Sequence, residues 1–245
     1  MTSPDLEQLA ERGLLNPVLS QFLRACVLAG KNIIIAGGHD SGRSTLLGAL
    51  AAVAPARERV LTVTVDGTGQ LHGADSSAGN IHPQPASWLG QAMYYNVNRV
   101  IVDHAEDESA VALLHAMASG RSGSMGTFAA PYPYAVIDQL TRAGVEGGSC
   151  LSEQGAHQLI GDAVDLLVYL DTADTSTGRR RFVTHVHEIH PSAAGGPPVF
   201  IELFAPVLGQ MRAILDTEPT FIKELQQHGF EKAWLHDASR TWGQW

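Results

Sequence analysis

Short apolar runs alternate with longer amphipathic stretches along this chain. Asn32 to Ala36 (NIIIA) is a strand-type apolar run. Arg59 to Val65 (RVLTVTV) alternates β-branched residues and predicts a second strand. Arg99 to Val102 (RVIV), Gly126 to Ala130, Leu166 to Leu170 and Arg181 to Ile189 are the other strand candidates. Helical spacing falls between them. Leu6, Leu9 and Ala10 share a face, and Gly13 ends that helix. Pro17 can open the next, with Leu19, Phe22, Leu23 and Cys26 on one side; Cys26 is then a packing residue. Ser44 to Leu50, Ser87 to Val97, the apolar face Ala110, Val111, Leu113, Leu114 and Met117, Tyr134 to Ala143 and Glu153 to Ala163 also predict helices. Asp66 to Pro85 is rich in Gly, Ser, His and Pro and reads as a loop. Asp171 to Gly178 reads as a hairpin connection, and a tail helix lies between Pro219 and Gly229. Strands alternating with helices predict an α/β fold with a mostly parallel sheet and antiparallel additions at one edge. Ligands of such a fold sit at the carboxyl ends of the strands.

One stretch carries chemistry. Lys31 to Leu50 reads KNIIIAGGHDSGRSTLLGAL. A strand, a glycine-rich turn and a helix in this order form a phosphate-binding loop. Gly37 and Gly42 have the required spacing, and Ser44 and Thr45 follow. The candidate nucleotide-binding set is Gly37, Gly38, His39, Asp40, Ser41, Gly42, Arg43, Ser44 and Thr45. Arg43 stands where the loop lysine belongs, a broad planar fork in place of a compact point charge. Asp40 places a carboxylate inside the loop, where it opposes a phosphate.

Composition narrows the class. Of the 245 residues, 44% are hydrophobic and 17% charged, which fits a globular protein. A net charge of −9 argues against broad nucleic-acid binding. The two cysteines, Cys26 and Cys150, make neither a disulfide framework nor a metal cluster and suit a reducing cytoplasm. No apolar run approaches the length of a membrane span.

Outside the loop, Asp103 ends an apolar strand. There it can hold magnesium together with Ser44, or cap the following helix, which is the simpler reading. Asp103 and the adjacent His104 are the candidate catalytic groups. Glu106, Asp107 and Glu108 form an acidic first helical turn. His185 and His187 share a strand face with His190 close by, but zinc needs three or four converging ligands. Trp234, Trp242 and Trp245 form either an interaction patch or a loose tail.

The order of motifs resembles the C-terminal motor domain of the type II/type IV secretion-system ATPases, in particular the CpaF-type pilus-assembly branch. The likeness runs from about Leu6 to about Phe230. It rests on LEQLAERGLLNPVLSQFLRACVLAGKNIIIAGG, on RVIVDHAEDESAVALLHAMASGRSGSMGTFAA, on IGDAVDLLVYL with RRRFVTHVHEI, and on VFIELFAP with FIKELQQHGF. The resemblance implies a RecA-like P-loop NTPase domain across residues 1–245, with a core to about residue 195 and a tail beyond. It implies a hexameric ring, ATP with Mg2+ as cofactors, and work at the inner membrane. Members also carry an N-terminal domain, and this sequence is expected to begin after it.

Set against the family pattern, key positions are changed. The loop lysine falls on Arg43, and the Walker B glycine and glutamate fall on Asp103 and His104. Of an acidic box only Asp66 remains. The histidine box falls on Gly126 to Pro131, with Ala129 at the histidine. Family arginines fall on Gly90, Tyr94, Asn96 and Glu106. These groups hold phosphates and neutralise developing charge. The expected function is therefore a degenerate CpaF-like ATPase domain with weak or no hydrolysis, a structural or regulatory subunit of a pilus or secretion apparatus. The alternatives are an active ATP-hydrolysing motor and a stand-alone nucleotide-sensing P-loop protein. The expected partners are secretion or pilus-assembly proteins at the inner membrane face and an intact ATPase paralogue, with no nucleic acid. The expected location is cytoplasmic and peripheral to the membrane.

Overall fold

Burial on both faces explains the unbroken apolar run that becomes β1 (Ile33–Gly37). In this computed structural model Ile33 and Ile35 face one core cluster, while Ile34 and Ala36 face the other. The structure describes residues 4–63, 69–72, 80–81, 96–146, 151–175, 178–193, 195–206 and 213–236. The expected helix over residues 87–97 lies almost wholly outside them, as do Asp66, Gly90, Tyr94, Cys150, Trp242 and Trp245.

The parallel heart of the sheet has β1 between β7 (Leu166–Thr175) and β6 (Met125–Ala129), followed by β5 (Arg99–Val102) and β2 (Val60–Val63). One strand, β6, therefore separates β1 from β5, as in a RecA-like domain. Antiparallel strands flank both sides, where the sequence suggested one. β8 (Gly178–His190), β9 (Val199–Pro206) and β10 (Ala213–Leu215) extend the β7 side. β3 (Gly69–His72) and β4 (Asn80–Ile81) extend the β2 side, inside a stretch whose Gly, Ser and Pro content predicted only loop. Backbone pairing to an open edge overrode that composition. The hairpin expected over residues 171–178 is mostly strand, because β7 and β8 stay paired out to Thr175 and Gly178.

Helices α1 (Leu6–Glu11), α2 (Pro17–Leu28) and α3 (Arg43–Ala51) cover one face. Helices α4 (Asp107–Ala118), α5 (Ala135–Glu146) and α6 (Glu153–Ala163) cover the other. Local signals set their starts. Asp5 and Gln8 form a capping box on α1, and Asn16 accepts the Leu19 N–H at 2.6 Å ahead of Pro17. Ser152 caps α6. Cys26 is fully buried, as a packing residue should be, and burial pushes its thiol pKa up.

The tail folds back on the first face. α7 (Ile222–Gln227) follows Phe221, and Gly229 ends it at a φ of 84°. Phe22 on α2 meets Phe204, Phe221 and Phe230 at ring separations of 5.3, 6.4 and 5.9 Å. Trp234 packs edge-on to Phe230. Lys31, just ahead of β1, pairs with Glu224 at 2.7 Å and lies over the Phe221 ring. Asp165, just ahead of β7, accepts the Asn32 N–H at 2.7 Å. Glu188 on β8 accepts from the Thr220 N–H at 2.9 Å and from the Thr220 hydroxyl.

His185 and His187 stack on β8, 5.6 Å apart with an interplanar angle of 7°. His187 is fully buried between Phe200 and Tyr134. Its Nε2 lies 3.5 Å from Glu202, yet neither ring nitrogen makes a hydrogen bond. Burial first, and His185 second, lowers the pKa of His187 from 6.5 to about 4.

Two outcomes are expected. Phe22→Ala leaves a cavity beneath the tail and costs about 3–5 kcal/mol. Urea unfolding measures this, and a cost near zero would show that the aromatic cluster is not a core. The second concerns pH. His187 is neutral when folded, so the unfolded ring binds a proton more readily. Its contribution is fully present above pH 6.5 and lost as pH falls towards 4. By pH 5 the loss is about 2 kcal/mol. His187→Leu removes that part of the pH slope in unfolding midpoints between pH 7.5 and 5, and equal slopes in the two proteins refute it.

Candidate functional site

The loop begins where β1 leaves the sheet. A Cβ on Gly37 would collide with the Leu170 carbonyl oxygen and lie 2.6 Å from Ser41 Oγ, so no side chain fits there. Asp40 and Gly42 take positive φ values of 58° and 97°. Gly42 is the N-cap of α3 and offers no side chain to its first-turn N–H groups. The helix therefore opens on backbone donors at its positive end. His39 and Asp40 face solvent, 3.6 Å apart, and Thr45 is exposed.

Arg43 turns inward instead. It is only 8% exposed, and its Nη1 has no hydrogen-bond partner. Burial pulls its pKa down, while Asp103 and Glu106 act to raise it. Guanidinium stays charged, so a cationic donor whose Nη1 has no acceptor is buried beside the loop, near Asp103 and Glu106. The Ser41 hydroxyl is likewise buried without a partner. This is a set of donors complementary to an anion.

On the far side of the loop, Ser44 Oγ donates to Asp103 Oδ1 at 2.9 Å, across 59 residues of sequence. Thr127 Oγ1 on β6 donates to the same oxygen at 2.7 Å and accepts the His104 N–H at 2.7 Å. Asp103 is therefore not the helix cap that its position suggested. Glu106 is the N-cap of α4, where its N–H donates to Ser109 Oγ and its backbone carbonyl accepts from the same hydroxyl. Thr127 was missed at the sequence level, because only the pairing of Ile101 with Met125 brings β6 beside the end of β5. A hydroxyl and a carboxylate oxygen held together form a donor pair suited to a hard cation such as magnesium. His104 has a φ of 59° and a partly exposed ring, with Nδ1 3.2 Å from Asp103 Oδ1.

The surroundings complete the picture. Tyr169 on β7 donates to the Ala130 carbonyl at 3.2 Å, and burial followed by Asp171 raises its pKa to about 12. A half-open cleft of about 650 Å³ lies beyond the start of α4, lined by Glu106, Asp107, Phe128, Ala129, Leu140 and Arg142 among others. Ala129 thus faces this cleft. Asn96 is exposed in the turn before β5. Among the described residues, no three His, Cys, Asp or Glu converge as metal ligands, and His185 stacks on the buried His187.

No protein-family profile matches the chain. It is 27% identical over 174 residues to the type IV secretion system protein PtlH of Bordetella pertussis, covering 66% of this chain and 51% of that one. It is 29% identical over 170 residues to the conjugal transfer protein TrbB of Rhizobium radiobacter, covering 67% and 51%. The chain thus spans about half the length of the curated relatives it matches. In structure it is similar to the VirB11 ATPase of the Brucella suis type IV secretion system in complex with sulphate, with a TM-score of 0.59, 20% identity, and 74% of this chain and 54% of that one covered. It is also similar to the Legionella pneumophila ATPase DotB, with a TM-score of 0.55, 16% identity, and coverage of 77% and 52%.

Proposed function

We propose, the chain being a relative of the type II/type IV secretion ATPases, that it binds ATP at residues 37–45 and serves a secretion or pilus-assembly apparatus as a CpaF-like subunit with weak hydrolysis. The observation that carries this reading is the hydrogen-bonded chain from Ser44 through Asp103 to Thr127. It joins the loop to the end of β5, where the phosphates of a nucleotide and a divalent ion would meet. Gly42 and the N–H groups of α3 would cradle the phosphates, and Arg43 would supply the charge. Ser44 and Asp103 would hold Mg2+, which supplies charge neutralisation at the phosphates.

Turnover needs more than binding. A carboxylate that orients water must be free to do so. Asp103 already accepts two hydroxyl donors at its Oδ1. His104 stands where the family's glutamate falls, with its ring partly in solvent. This supports a subunit that binds and scarcely hydrolyses, one that assembles beside an intact paralogue at the inner membrane face. Among the described residues no helix is long and apolar enough to cross a membrane. The second reading is an active motor, which the retained Ser44–Asp103 pair favours.

Phosphate release by the purified protein with ATP and Mg2+ separates the two. The expected rate is near background. A rate of about 1–10 per second that Ser44→Ala abolishes would make it a motor. Binding is a separate test. Asp40→Gly with Arg43→Lys removes a negative charge and restores a compact cation, so ATP binding should tighten by about tenfold. Calorimetry on both proteins decides, and unchanged affinity in the double variant would count against this account of the loop.

A further inference from the structure

The β7–β8 hairpin reaches past the phosphate loop. In register, Gly37 at the end of β1 lies beside Leu170 of β7. β7 continues for five more residues, from Asp171 to Thr175, and β8 pairs with it throughout. This overhang therefore stands beyond the carboxyl end of β1, level with the loop and whatever it binds. The face of the hairpin that buries Leu170 and Val183 in the core runs outward into Thr172 and its partner Arg181. Strand alternation puts Arg179 on the same face, where its Nη2 donates to Thr172 Oγ1 at 3.1 Å.

Arg181 is the residue that reaches the loop. A Cβ built on Gly42 would lie 3.6 Å from Arg181 Cδ, so the aliphatic stem runs alongside the N-cap of α3. Arg181 is exposed, and no ion pair holds its guanidinium among the described contacts. Arg43 turns the other way, towards Asp103 and Glu106. The loop thus has a buried cation on one flank and an exposed one on the other, in a chain with net charge −9. An exposed guanidinium beside a helix N-terminus, near a buried arginine whose Nη1 has no partner, is placed to close a forked contact on a polyphosphate.

We infer that Arg181 is a binding residue for the phosphate chain of the nucleotide, a contact from the overhanging hairpin that adds to the charge of Arg43. This rests on the nucleotide-binding reading above. It explains how a loop without its lysine can still hold phosphates. It also gives the hairpin a role that its exposed Arg-rich sequence alone did not reveal.

The test is equilibrium binding of ADP with Mg2+, and separately of inorganic pyrophosphate, to four proteins. These are the unaltered chain, Arg181→Ala, Arg181→Lys and Arg57→Ala, the last removing the same charge from an exposed turn. Arg181→Ala should weaken ADP and pyrophosphate alike, by about tenfold or more. Arg181→Lys should recover part of the loss as a point charge, and Arg57→Ala should change affinity less than about twofold. Unaltered thermal midpoints without ligand would show that each variant folds. If Arg181→Ala binds as tightly as Arg57→Ala, the inference fails while the nucleotide site stands. If only ADP weakens, the arginine touches the base and the phosphate contact is refuted. If the unaltered chain binds neither ligand at millimolar concentration, the site reading itself falls and takes Arg181 with it.

Discussion

Everything at the candidate site depends on the backbone of β1 being sandwiched with no room to spare. The strand is buried at all of its positions, and β6 and β7 hydrogen-bond it on both sides. At Gly37, the last residue of the strand, the Leu170 backbone leaves no space for a side chain. The left-handed turn at Gly42 follows, and α3 starts with its donors aimed back over the strand end. The rigidity of the sheet thus fixes the loop, and the loop chemistry sits on that fixed frame. Arg43 and Asp40 set the charge presented there and its shape, and that frame does not depend on them.

This division explains what could be read from the sequence. The strand–loop–helix unit was legible because its signals are local: an apolar run, glycines at fixed spacing and a helix behind them. The parallel core was legible for the same reason, since Arg99 to Val102 and Leu166 to Leu170 are continuous apolar runs. What escaped is non-local. Thr127 escaped because 24 residues of sequence hide its contact with Asp103, and the Ser44 bond that favours the metal-site reading over the helix cap spans 59. β3 and β4 escaped because residues of low strand propensity are held by pairing at an edge. Arg181 escaped because strand register alone sets it beside Gly42.

The groups at the site divide by how tightly the fold holds them. Parts that make the loop and join it to β5 also hold the fold together, since Thr127 is fully buried and Gly37 has no space for a side chain. His104 and Ala129 stand apart from this frame: the His104 ring is partly exposed and Ala129 faces the open cleft. The residue type at such positions can vary without altering the shape of the loop.

Lys31 gives the tail a mechanical meaning. It stands immediately before the strand that carries the loop, and it is bonded to Glu224 of α7 and capped by Phe221. Phe221 in turn touches Phe22 beneath. The C-terminal segment is thereby clamped to the root of β1, not draped over a distant surface. A force applied to that segment reaches the start of β1 through Lys31, and the core beneath it through Phe22.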